Sequence, residues 1–112
     1  MSMDFVVSDQ AIIQIIGDTL KEFEEIEGLG SDFAKEFIDI FDREEVKRGI
    51  KIKRGNGKIF IDLLLRVYYL SEISKIAKRM RERIKENLEK LTNCKLEELN
   101  IYVIDVEDKS ET

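Results

Sequence analysis

Gly55-Asn56-Gly57 separates two runs in which apolar and polar residues alternate, and no other feature constrains the chain as strongly. Asn-Gly accepts the positive φ of a two-residue hairpin turn, whose twist matches that of the flanking strands. The first strand is Ile50-Lys51-Ile52-Lys53, opened by Gly49. The return strand covers residues 58–69. Ile59, Ile61, Leu63, Leu65, Val67 and Tyr69 share one face, and Phe60, Asp62, Leu64, Arg66 and Tyr68 share the other. The fold must therefore be built around an antiparallel pair with one face apolar throughout.

Helical periodicity surrounds this pair. Residues 72–91 carry Ile73, Ile76, Ala77, Met80, Ile84, Leu88 and Leu91 on one stripe, with Ser71 as the N-cap and Asn93 suited to the left-handed position at the end. Nearer the start, Phe5-Val6-Val7 reads as a short strand. Ser8 caps a helix over residues 9–25 with Ile12, Ile13, Ile15, Ile16, Leu20 and Phe23 as its apolar stripe. Glu22, Glu24, Glu25 and Glu27 crowd the C-terminal end of that helix, the wrong sign for its dipole. Their spacing predicts a basic partner or a frayed end. Gly28-Leu29-Gly30 breaks the pattern, and Ser31 caps a shorter helix to Asp42 that aligns Phe33, Phe37 and Phe41. Residues 99–106 form the last strand.

The predicted class is α+β in a βαββαβ-like order. It has a mostly antiparallel four-stranded sheet, two main helices on one face and a short extra helix. At 112 residues the chain makes a single domain, with an ordered core at about residues 5–106. Phe60, Leu64, Tyr68 and Tyr102 leave the helix-free face partly apolar, so that face is expected to be covered, by the phenylalanine helix or by another chain. These four, with Phe33, Phe37 and Phe41, are the candidate protein interface.

Chemistry is narrowed by what is missing. There is no histidine, hence no imidazole base or ligand, and a single cysteine gives neither a disulfide framework nor a cysteine-based zinc site. Ser8, Ser31 and Ser71 are explained as helix caps. Asp42-Glu44-Glu45 and Glu24-Glu25-Glu27 lack the spacing of a calcium loop. Gly55-Asn56-Gly57-Lys58 precedes a strand, whereas a phosphate-cradling loop precedes a helix. No catalytic residue, cofactor or metal site is expected. No apolar run reaches 18 residues and no signal peptide is visible, which points to the cytoplasm. Abundant Lys and Glu without proline is a composition compatible with a thermophile.

The net charge of −5 is unevenly spread. Residues 1–48 hold 13 Asp/Glu against 5 Lys/Arg, and residues 49–112 hold 11 against 14. The acidic half opposes nonspecific nucleic-acid binding by the whole domain. Lys78, Arg79, Arg81, Arg83 and Lys85 are the candidate anion or nucleic-acid contacts. Glu82, Glu86 and Glu89 interleave with them, so a solvated helix face is the simpler account.

Val6-Val7-Ser8-Asp9-Gln10-Ala11-Ile12 resembles the opening of the bacterial alkaline shock protein family, also called the envelope stress response family. Glu27-Gly28-Leu29 resembles its "EGV" step and Gly49-Ile50-Lys51-Ile52 its "GVKV" strand. Residues 91–103, Leu91-Thr92-Asn93-Cys94-Lys95-Leu96-Glu97-Glu98-Leu99-Asn100-Ile101-Tyr102-Val103, resemble its closing "MTGLxVxEVNVxV" pattern. The resemblance covers about residues 5–106. Asn93 stands where the family has glycine, and Leu70-Ser71-Glu72 replaces a glycine- and proline-containing entry to the long helix. The resemblance implies a cytoplasmic, non-enzymatic adaptor or scaffold tied to envelope or alkaline stress. It would act through protein–protein contacts and self-association, and would reach the inner membrane face through a small membrane-anchored partner. The alternative is an RNA- or ribosome-associated domain using the basic helix.

Overall fold

The computed structural model describes residues 7–29, 46–68 and 70–107. The elements are α1 (Asp9–Leu20), β1 (Ile26–Leu29), β2 (Val46–Lys47), β3 (Ile50–Gly55), β4 (Lys58–Val67), α2 (Leu70–Thr92) and β5 (Lys95–Val106).

β4 is the centre of the sheet. One of its edges pairs antiparallel with β3, from Gly55↔Lys58 to Ile50↔Leu63, and then with β1, from Leu29↔Leu65 to Ile26↔Val67. Its other edge pairs with β5 along its full length. β2 extends β3 by two residue pairs. The class is the expected α+β with a mostly antiparallel sheet. It has five strands but is four wide, because β1 and β3 share one edge of β4. The β4–β5 pair is parallel, because the chain returns along α2, about 34 Å of helix, before re-entering the sheet.

The hairpin forms as its sequence requires, with φ of 52° at Asn56 and 75° at Gly57. A second two-residue turn joins β2 to β3 through Arg48 (φ 55°) and Gly49 (φ 79°). Positive φ suits Asn and Gly, but for arginine it costs about 1 kcal/mol.

α1 opens with Ser8 Oγ accepting the Ala11 N–H at 3.1 Å. Arg54 at the end of β3 locks this start in place, donating to Asp9 Oδ1 and to the Val7 carbonyl, both at 2.6 Å. Val7 itself is not in a strand, and Phe5 and Val6 lie outside the described residues. α1 ends at Leu20, five residues before its predicted end. Tight turns bring the chain through Phe23 into β1, which had looked only like a break. The predicted helix carrying Phe33, Phe37 and Phe41 lies outside the described residues.

α2 begins at Leu70, two residues before its predicted start. Asn93 ends it with φ of 59°. Thr92 Oγ1 accepts the Cys94 N–H, and Glu89 Oε2 accepts the Leu96 N–H at 3.1 Å, which fixes the entry to β5. β5 therefore starts four residues earlier than its apolar pattern suggested.

Both helices lie on one face. Ile12 and Ile16 of α1, Ile61, Leu63, Leu65 and Val67 of β4, and Met80, Ile84 and Leu88 of α2 form one closed core. Thr19, 1% exposed, is the polar residue inside it. Its hydroxyl donates to the Ile15 carbonyl and accepts from Asn87 Nδ2, both at 2.8 Å, so this buried hydroxyl is paired in both senses.

Leu63→Ala, at the centre of this core, should lower unfolding free energy by about 3 kcal/mol in urea titration. Arg48→Asn keeps a polar side chain while suiting the left-handed backbone, and should raise it by about 0.5 kcal/mol.

Candidate interaction surfaces

The helix-free face is made by alternate residues of β3, β4 and β5. A polar row crosses its middle. Lys51 stands opposite Asp62, and Asn100 on the other side donates through Nδ2 to Asp62 Oδ1 at 3.0 Å. Phe60, Tyr68 and Tyr102 are half-buried around this row. Leu64 differs from its three neighbours. It is fully buried (0% exposed) although it does not belong to the helix-side core, and Lys51 is only 8% exposed. The middle of this face is thus closed within a single chain. Leu64 cannot offer surface to a partner, which corrects its place in the predicted interface. A charge at this position would unfold the domain before it disturbed any assembly.

Two of the five basic candidates on α2 are engaged within the chain. Arg83 forms a two-pronged pair with Glu22, Nε to Oε1 at 2.9 Å and Nη2 to Oε2 at 3.0 Å, while Nη1 reaches Glu86 at 2.9 Å. This is the basic partner that the acidic end of α1 called for. The Glu22 carboxyl is held below the usual glutamate range. The hydrogen bond from Arg83 is the main cause; desolvation opposes it, and the Arg83 charge adds a smaller lowering effect. Arg79 lies over the Phe23 ring, 5.2 Å from its centre. Lys78, Arg81 and Lys85 remain exposed and carry no ion pair among the described residues.

Two hollows went unseen in the sequence. An open cleft of about 700 Å³ lies between the end of α1, β1 and the Arg48 turn, with Tyr68 on its wall and charges of both signs at Lys21, Glu24, Glu27 and Arg48. A groove of about 420 Å³ runs between α2 and β5, lined by Ile73, Ala77, Arg81 and residues 100–103. Ile73 and Ala77 had been assigned wholly to the core stripe. Their spacing with Arg81, four residues apart each time, was the available signal for a line along one side of the helix. Among the described residues no three His, Cys, Asp or Glu side chains are grouped to hold a metal ion.

This arrangement of an open sheet with two helices on one face occurs in solved structures. The metal-bound C-terminal domain of the CzcD transporter from Thermotoga maritima matches with a TM-score of 0.57 at 13% identity, over 88% of this chain and 92% of that one. A MamM CTD matches with a TM-score of 0.59 at 10% identity, over 95% of this chain and 92% of that one. At such identity the likeness is one of fold alone. Residues 2–108 match the alkaline shock protein 23 family, described as having a cell envelope-related function, and the chain belongs to that family. An uncharacterised Streptococcus pyogenes protein is 27% identical over 99 residues, covering 87% of this chain and 82% of its own. YqhY of Bacillus subtilis, also uncharacterised, is 23% identical over 101 residues, covering 90% of this chain and 75% of its own. A Streptococcus pyogenes stress response regulator gls24 homologue is 22% identical over 104 residues, 92% of this chain. The chain spans only 58% of that relative's length.

Because the Glu22 carboxyl is depressed in the folded state, its pairing stabilises the fold above the unfolded glutamate value, about 4.3, and is lost as pH falls below it. At pH 7 the Glu22→Gln variant should melt slightly below wild type. The gap should close between about pH 5 and pH 3. A gap that stays constant over that range would show that the pair contributes no linked stability.

Proposed function

We propose that the chain is a non-enzymatic adaptor of the cell-envelope stress response that works through protein–protein contacts and self-association. The observation that carries this reading is the family match over nearly the whole chain. The name of the gls24 homologue supports the stress connection. Phe60 and Tyr68, half-buried beside the closed middle of the helix-free face, are the proposed contact with other copies, with Tyr102 at its margin. Lys53 and Glu98 stand opposite Phe60 in the sheet and Arg66 shares the face, so these half-buried aromatics have the charged neighbours found at the border of a protein interface. In this reading the protein acts in the cytoplasm and reaches the inner membrane face through a small membrane-anchored protein. Among the described residues no helix is long and apolar enough to cross a membrane. Arg79 and Arg83 are engaged within the chain, which weakens the case for the basic helix as a nucleic-acid site.

Sedimentation of the purified protein tests self-association. The mass should be a multiple of 13.1 kDa at micromolar concentration. Phe60→Arg and Tyr68→Arg should each shift it towards the monomer without changing circular dichroism. A wild-type monomer, or variants that assemble as well as wild type, would overturn the proposal. Capture on immobilised RNA that weakens steeply with salt would move the function to the basic helix.

A further inference from the structure

We infer that the row Lys53, Phe60 and Glu98 on the helix-free face pairs with the same row of a second copy, with Lys53 of each chain set against Glu98 of the other. This rests on the self-association reading and gives that contact its geometry.

The sheet builds the row. Phe60 of β4 stands between Lys53 of β3 and Glu98 of β5, its register neighbours on the two sides. All three face away from the helices, because the residues that alternate with them, Ile52, Ile61 and Leu99, pack into the core. Lys53 and Glu98 are exposed and Phe60 is half-buried. Strand spacing holds the two charged residues about 10 Å apart at the backbone, with the ring between them. The row lies near the Asn56-Gly57 turn, four residues along β4 from Leu64, or about 13 Å. The charges that would meet a second copy are thus outside the closed middle of the face.

Most other charges of this face have an opposite charge or a polar donor beside them in the same chain. Near the turn, Lys58 lies 3.8 Å from Glu97, with Lys95 in register beside it. Asp62 stands between Lys51 and Asn100 and accepts from Asn100. Arg66 stands opposite Asp105. Lys53 and Glu98 differ, since neither forms an ion pair among the described residues. What is left is a cation on the β3 side of Phe60 and an anion on its β5 side.

Such a row is self-complementary. A two-fold axis running along β4, between the two copies, lays Phe60 on Phe60 and carries each Lys53 over the other copy's Glu98. The contact then closes with two identical charge pairs. An axis across the strands would instead set lysine on lysine and glutamate on glutamate, which like charges oppose. The column lying on the favoured axis is β4, and its charges are offset within each chain by the neighbours just named. A partner of one sign would satisfy one end of the row and be repelled by the other. A second copy satisfies both.

Lys53→Glu, Glu98→Lys and the protein carrying both changes are compared with wild type by sedimentation, with circular dichroism as the check on folding. Each single change turns both charge pairs into like-charge contacts and should weaken association about tenfold or more. The double change exchanges the two signs and should return association to within about threefold of wild type. Mixed in equal amounts, the two single variants should form a mixed pair as tight as wild type, read by energy transfer between labelled chains. Overall charge alone predicts a different pattern. Lys53→Glu makes an acidic chain more acidic and would weaken association, whereas Glu98→Lys would strengthen it. That pattern overturns the inference. So do single variants that assemble as well as wild type. So does a Lys53→Glu chain that pairs with wild type better than wild type pairs with itself, which marks the crosswise axis. Wild type and Phe60→Arg separate the two proposals. A wild type that stays monomeric removes self-association and this pairing together. Assembly lost in Phe60→Arg but indifferent to the charge changes keeps self-association and overturns only the pairing.

Discussion

The structure depends on β4 being hydrogen-bonded along both edges, buried throughout on its helix side and closed at Leu64 on the other. β3 and β1 divide one edge between them, and β5 takes the whole of the other. At the junction the Leu64 N–H finds the Gly49 carbonyl at 2.8 Å, so the gap between β3 and β1 leaves no donor stranded. Leu63, Leu64 and Leu65 are each fully buried, although successive residues of a strand face opposite ways. A one-residue slip would exchange the two faces and set Asp62 and Arg66 against the helices. Every neighbour thus takes its register from this strand, and the helices take their position from the row of Ile59 to Val67.

Around that centre the charged residues have divided roles. Arg54 ties the start of α1 to the end of β3, and Arg83 ties the turn after α1 to α2. Both pairs are partly exposed, and their value is mainly in fixing where α1 begins and where it stops. These arginines spend their hydrogen bonds within the chain.

The sequence was most informative where local chemistry and long-range pairing agree. Asn56 and Gly57 specify their turn without help from the rest of the chain, and the stripe from Ile76 to Leu88 specifies the buried side of α2. It was least informative where distant residues decide. β1 has four residues, one of them glycine, and is a strand only because β4 extends past the end of β3. β2 has two residues held by the Arg48-Gly49 turn; that Arg-Gly step was visible but has weaker turn chemistry than Asn-Gly. Lys95 to Glu98 are too charged to suggest a strand, yet they pair with β4 from Lys58 onward once Glu89 holds the Leu96 N–H. The helix-free face shows the same limit. Alternation placed Leu64 on it correctly, but nothing local reports that Leu64 is closed off while Phe60 beside it is half open. The α2–β5 groove was hidden for a related reason, since Ile73 and Ala77 fit the apolar stripe as well as any core residue would.

The parallel join between β4 and β5 also sets a timetable. Hairpin contacts between β3 and β4 close a loop of two residues, whereas β5 can meet β4 only after all of α2 has been made and coiled back. Closing so long a loop is entropically slower, so β5 should dock late. Until it does, one whole edge of the most apolar strand in the sheet stands open, and a nascent chain stalled at that stage would be the form most prone to stick to its neighbours.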